Sequence, residues 1–268
     1  MVWTAAVKIA YDGRDFNGSQ RQPDLGTVEG EVLRALVKIE AIASAKEARF
    51  RVASRTDRGV SALGNVYCFD TDFEQGRLLH ALNAVSEKVF YYGLAQVPHD
   101  FSPRRGKQRW YRYYHPSEGV DPELFQECAH LFEGRHDFIR FCKPEGKATI
   151  KTVDKVSVLP IGDTIIIDLY AREFLRNMVR RMVAAMAEVG RGRVRLQAVS
   201  ELLQGKEGNL GLAKAEGLVL MDVRYDVEIP ITITAPFRRE VRERRQEALV
   251  ELLFYDSLID PQDSLGKY

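Results

Sequence analysis

Residues 53–66 run Ala-Ser-Arg-Thr-Asp-Arg-Gly-Val-Ser-Ala-Leu-Gly-Asn-Val and hold the group best suited to chemistry. Asp57 is a single carboxylate between Arg55 and Arg58, followed at once by Gly59. Positive charge nearby favours the anionic form of an acid, which suits a nucleophile or a base. The same pattern also describes an ordinary loop ion pair, since structural pairs perturb carboxylates as catalytic ones do. Two further stretches mix aromatic and basic residues. In Gln108 to His115, alternation sends Tyr111 and Tyr113 to one face and Trp110 to the other. At least one of those faces must be core, so Tyr111 is either a core aromatic or a stacking platform. In Phe-Leu-Arg-Asn-Met-Val-Arg, residues 174–180, a helix would set Arg176 and Arg180 on one face, with Arg172 a turn earlier. Each is either a solvated charge or the partner of an acid.

These residues need elements to position them. Val2 to Ala10 alternates as a strand, and Tyr11 to Leu25 is a polar loop. Thr27 fits a helix N-cap, with Val28, Val32, Ala35, Leu36 and Ile39 on one helical face. Strands at Arg49–Ala53 and Gly64–Phe69 flank the Asp57 loop, followed by a helix at Leu78–Val85 and a strand at Val89–Val97. Strand, helix, strand, strand, helix, strand is the ferredoxin-like order. The second half is looser. Gln108–His115 is an aromatic strand, Pro122–Phe132 a helix and Asp137–Phe141 a turn. Strands at Val153–Leu159 and Thr164–Tyr170 join through Gly162-Asp163. Helices are predicted at Glu173–Val189 and Leu196–Gln204, and a strand at Leu218–Tyr225. The boundary falls near Ser102 to Lys107. It gives an N-terminal domain over 1–105 and a C-terminal domain over 106–268, with a basic helix at Arg239–Phe254 as its extension.

Composition narrows the classes. The chain has 268 residues and 45% apolar content, enough for a core. No apolar stretch nears the roughly 20 residues that span a bilayer. Met1 to Tyr11 lacks the basic start and apolar run of a secretory signal, so a cytoplasmic location is expected. Cys68, Cys128 and Cys142 lie far apart, which points to buried thiols rather than a disulfide or zinc site. The five histidines are scattered without ligand spacing and are expected to be non-catalytic. Net charge is only +1, yet basic residues cluster at 49–58, 104–112, 172–195 and 238–245 while acids collect elsewhere. Such clustering can give one strongly positive face, and it favours RNA or phosphate binding over solvated charge.

Five motifs in series now resemble one family, the TruA-type tRNA pseudouridine synthases, in its archaeal and eukaryotic form. They are Tyr11-Asp12-Gly13 with Gly18-Ser19-Gln20-Arg21-Gln22; Arg55-Thr56-Asp57-x-Gly59-Val60; Asp100-Phe101 with Arg109-Trp110-Tyr111-Arg112-Tyr113; Phe174 to Arg180; and Ala215-Glu216-Gly217-Leu218. The match runs from about Val7 to Asp226. It departs from the family pattern at Ser19, where Trp is usual, and at Arg58 and Ser61, where Ala and His are usual.

The resemblance implies an α+β fold: two ferredoxin-like α/β subdomains joined into one extended, mostly antiparallel sheet with a positively charged central cleft. It implies an isomerase that converts uridine to pseudouridine at positions 38–40 of the tRNA anticodon stem-loop, acting as a cytoplasmic homodimer. Asp57 would be the essential carboxylate, Tyr111 the ring stacked on the target base and Arg180 the partner of Asp57. Arg55 would enter the RNA stack when the base leaves it, since a paired base must be extruded for reaction. Arg21, Arg58, Arg104, Arg105, Lys107, Arg109, Arg112 and Arg176 are expected to contact substrate. The reaction needs no redox step, and the chain has no phosphate-binding loop, dinucleotide fingerprint or metal-ligand cluster. No cofactor is therefore expected. A tRNA chaperone and a base-releasing hydrolase are the rival classes. The intact Asp57, Tyr111 and Arg180 set disfavours the first, and no motif supplies the second acid or base that the other needs.

Overall fold

The structure is a computed structural model that describes residues 1–146 and 148–259. The first half forms β1 (Trp3–Tyr11), α1 (Val28–Lys38), β2 (Arg51–Val52), β3 (Ser61–Thr71), α2 (Gln75–Val85) and β4 (Val89–Val97). The strands are ordered β4-β1-β3, with β2 paired to β3. Helix α1 starts where the sequence predicts: the Thr27 hydroxyl accepts from Gly30 N at 3.2 Å, and Val28, Val32, Ala35 and Leu36 are buried.

The second half forms β5 (Gln108–Pro116), α3 (Pro122–His130), β6 (Gly134–Asp137), β7 (Ile150–Ile161), β8 (Thr164–Ala171), α4 (Met178–Gly190), α5 (Leu196–Leu203) and β9 (Leu218–Arg224). Its strands continue the same sheet in the order β9-β5-β8-β7-β6. The result is one mostly antiparallel sheet of an α+β fold. Along β4, β5 and β8 buried residues alternate with more exposed ones, the mark of a sheet covered on one face.

The halves meet at a short parallel seam, Ser61↔Val219 and Ala62↔Leu220. A β-carbon on Gly64 would lie 2.8 Å from Asp222 Cα, so only glycine lets β3 and β9 approach this closely. The seam begins four residues after Asp57, which places the Asp57 loop at the junction of the two halves. Of the described residues, 231–259 belong to a second compact unit, in which α6 (Ala235–Ile259) has no buried residue.

Several boundaries differ from the sequence-based ones for physical reasons. The predicted helix at Glu173–Val189 begins only at Met178, because Asn177 adopts a left-handed backbone at φ +63°. Arg172 and Arg176 therefore lie on the connection before α4 and not on its face. Strand β2 shrinks to two residues, since Arg49 also has positive φ. Strand β6 was not predicted; the expected turn contracts to one helical turn at Ile139–Phe141.

Candidate active site

Asp57 follows residues 54–56, which lie in no strand between β2 and β3, and precedes a tight turn. Gly59 adopts φ +84° there, and a β-carbon on it would press on Glu216 Oε1 at 3.0 Å and Ala215 Cβ at 3.1 Å. The turn thus seats against the Ala215-Glu216 segment that leads into β9. Side chains alternate in accessibility along the loop: Arg55 and Arg58 are exposed, Thr56 is buried, and the Asp57 side chain is 32% exposed.

Two cations face the carboxylate from the other half of the chain. Arg180, in the first turn of α4, brings a guanidinium nitrogen to 3.7 Å from Asp57 Oδ2. Arg176 brings Nε to 3.7 Å from Oδ1. Both distances suit ion pairs and exceed those of hydrogen bonds. Arg180 is the better held of the two. Its Nε donates to Ala213 O at 2.8 Å and its backbone carbonyl accepts from Ala213 N. Its side chain is 15% exposed, against 46% for Arg176. Arg176 also donates to Glu145 Oε1 at 2.8 Å.

Tyr111 lies on β5, buried except for an edge that lines the cleft, and meets Phe174 edge-on at 5.3 Å between ring centres. Burial pushes its phenol pKa up, and the Asp57 charge adds to that, against the nearby Arg109 cation. The hydroxyl is therefore a protonated donor at neutral pH.

The cleft around these groups measures about 850 Å³. Its walls come from the opening loop at 17–25, the Asp57 loop, Arg104, β5 and the segment 173–180. Of the residues expected from sequence, Arg21, Arg55, Asp57, Arg58, Arg104, Arg109, Tyr111, Arg176 and Arg180 line it. Arg105, Lys107 and Arg112 do not. Arg112 is on the opposite face of the sheet, where it bonds Asp168 through two nitrogens at 2.8 Å and stacks over Trp110. Lys107 pairs with Asp226, and Arg105 is exposed.

Arg109 is buried, and its donors serve the protein: Ser54 Oγ at 3.0 Å, Ala53 O at 3.1 Å, Arg104 O at 3.0 Å and Arg172 O. It ties three walls of the cleft together. Sequence reasoning missed this, because its partners lie up to 63 residues away. It also missed Glu145, whose loop carries no motif, and the turn at Asn177, whose left-handed backbone an asparagine tolerates without advertising it. Among the described residues, no group of three or more His, Cys, Asp or Glu side chains is placed to hold a metal.

Comparison with known proteins agrees with the motifs. A family model described as tRNA pseudouridine synthase matches residues 128–226. The tRNA pseudouridine synthase A of Pyrococcus abyssi (strain GE5 / Orsay) is 42% identical over 94% of this chain and 98% of its own. That of Pyrococcus furiosus is 38% identical over 96% and 98%. That of Methanosarcina mazei is 38% identical over 84% and 85%. Among solved structures, an H/ACA RNP bound to a substrate RNA is distant, with a TM-score of 0.34 and 13% identity over 68% of this chain and 44% of that one. The motif series, the cleft and the identity of 38–42% to three archaeal relatives over 84–96% of this chain place it in the tRNA pseudouridine synthase family of RNA-modifying isomerases.

Proposed function

We propose that this chain isomerises uridine to pseudouridine in the tRNA anticodon stem-loop, at positions 38–40, with Asp57 as nucleophile. The observation that carries the reading is the convergence of Arg176 and Arg180 on one accessible carboxylate beside Tyr111. In this mechanism an Asp57 oxygen bonds C1′ as the N1–C1′ bond breaks, and the electron pair stays on the uracil as an anion. The freed base turns to present C5. C5 then attacks C1′ and expels the carboxylate, the C5 proton leaves to solvent, and N1 takes a proton. A carboxylate suits this because it can form and release a glycosyl intermediate, as in retaining glycosidases. Arg176 and Arg180 hold the anion in position before attack. They also stabilise it again when C5 displaces it.

The target base must leave its stack to reach Asp57. In our reading the planar, exposed Arg55 fills the gap, and Tyr111 stacks on the flipped base. The exposed arginines 21, 58 and 104 hold phosphates of the arm, making the cleft positive in use. Arg105 and Lys107 extend that footprint past the cleft rim. The reading includes two ferredoxin-like domains, 1–105 and 106–268, each supplying one side of the cleft, and a cytoplasmic homodimer with RNA lying across both subunits. No described helix is long and apolar enough to cross a membrane.

The test incubates the protein with unmodified tRNA and maps pseudouridine by carbodiimide-dependent reverse-transcriptase stops. Stops at anticodon-arm uridines, absent with Asp57→Asn, are expected. Stops that persist with Asp57→Asn would overturn the nucleophile assignment, and stops only in another arm would overturn the target.

A further inference from the structure

Ala53 N still donates to Val66 O on β3 at 2.8 Å, but residues 54–57 lie in no helix or strand, so their backbone polar groups need partners of another kind. For Ser54 and Thr56 they come from two buried residues, Asn65 and Ser19. On one shoulder Asn65, fully buried on β3, bonds Ser54 twice: Oδ1 accepts from Ser54 N at 3.2 Å, and Nδ2 donates to Ser54 O at 2.9 Å. On the other shoulder Ser19, 1% exposed in the opening loop, bonds Thr56 twice. Its hydroxyl accepts from Thr56 N at 2.7 Å, and its own N donates to Thr56 O at 3.1 Å. The two clamps bracket Arg55 and hold the backbone of the residue immediately before Asp57. The Tyr11 hydroxyl links them, lying 2.8 Å from Thr56 Oγ1 and 3.4 Å from Asn65 Nδ2. Position 19 is where the family motif usually has Trp. Here the serine faces inward, and its hydroxyl does work that an indole in the same place could not.

We infer that Ser19 and Asn65 are positioning residues that act as one clamp, fixing the backbone of Ser54 and Thr56 so that the Asp57 carboxylate reaches the target sugar in register with Arg176 and Arg180. The proposal rests on Asp57 as the reacting carboxylate. Neither clamp residue contributes a group to the cleft's ion pairs, so their effect should fall on the chemical step and not on RNA affinity. A reacting group displaced by about 1 Å can lose on the order of 10²-fold in rate. Groups that position one loop together also lose their effects together, so the double variant should be far from multiplicative.

The experiment measures single-turnover rates at saturating unmodified tRNA, tRNA binding and thermal melting for wild type, Ser19→Ala, Asn65→Ala, the double variant and Asp57→Asn. We expect Ser19→Ala to lower the rate at least about 10-fold, with tRNA affinity within about twofold of wild type. The double variant should be scarcely slower than the slower single one. An unchanged rate for Ser19→Ala overturns the clamp. So does a weaker affinity at an unchanged rate, a loss accounted for by unfolded protein in the melt, or single losses that multiply in the double. If Asn65→Ala does not fold, Ser19→Ala decides alone. An active Asp57→Asn would sink the reading of Asp57 instead, whatever the clamp variants do.

Discussion

Asp57 is held by two charges at ion-pair distance and, among the described residues, by no closer side-chain bond. That leaves its oxygens able to move onto a carbon. The two arginines differ in anchoring, and the difference predicts unequal effects. Arg180→Ala removes the mostly buried, backbone-bonded cation and is expected to cost about 10²-fold in the chemical step, the scale of losing one charge-stabilising donor. Arg180→Lys keeps the charge but loses the Nε bond to Ala213 O, so it should recover only part. Arg176 is nearly half exposed and shared with Glu145, and exposed pairs contribute under about 1 kcal/mol. Arg176→Ala should therefore cost less than about 10-fold in rate. Equal losses for the two arginines would contradict this ranking. Much of this was legible in the residues: an acid among arginines, an aromatic in a basic strand, and two arginines four apart. Arg109 and Arg112 were not. Their acceptors, Arg172 O and Asp168, lie 63 and 56 residues away, and distant pairing leaves no local pattern.

At the scale of elements, the site depends on two turns whose backbone lies at positive φ. Asn177 breaks what the sequence presents as a continuous helix and so turns Arg176 back toward Asp57. Periodicity could not reveal it, because the apolar spacing of α4 runs on unbroken through Phe174 and Leu175. Asn177→Gly should be near neutral, whereas Asn177→Val should cost about 1–2 kcal/mol in denaturant unfolding, since a branched residue resists the left-handed region. Gly59→Ala carries both positive φ and a β-carbon tight against Glu216 and Ala215, so it should lower stability and rate together. A fully active, equally stable Gly59→Ala would show that the turn does not set Asp57. Arg109 binds three backbone carbonyls of the cleft walls, and Arg109→Met strands them. It should destabilise by about 2–3 kcal/mol yet leave the salt dependence of tRNA binding unchanged.

Over the whole molecule, one sheet runs through both halves and joins at the two-residue seam beside the Asp57 loop. Element order made each half's strand-and-helix pattern legible, but the seam pairs residues more than 150 positions apart and has no sequence signature. Two bulk properties follow. Phosphate contacts release counterions, so Arg58→Ala should reduce the slope of log affinity against log salt by roughly 0.7–0.9, while Arg112→Ala, on the far face, should leave it unchanged. The buried phenols Tyr11, Tyr67 and Tyr91 all have pKa values raised above the ordinary 10.0, chiefly by burial. The folded state then keeps protons that the unfolded chain releases above pH 10. Their contribution is complete below that pH and is lost as pH rises further, so midpoints of urea unfolding should fall steeply above about pH 10.

The central claim is that Asp57 carries the chemistry and not the binding. Isomerisation breaks the C5–H bond, so tRNA labelled with tritium at uridine C5 releases label into water once for each base converted. Tritium release at saturating tRNA, measured beside tRNA affinity for wild type and Asp57→Asn, tests the claim directly. Stoichiometric release by the wild type, none by Asp57→Asn, and equal affinity for the two is the predicted result. Release by Asp57→Asn at a rate near wild type would contradict it.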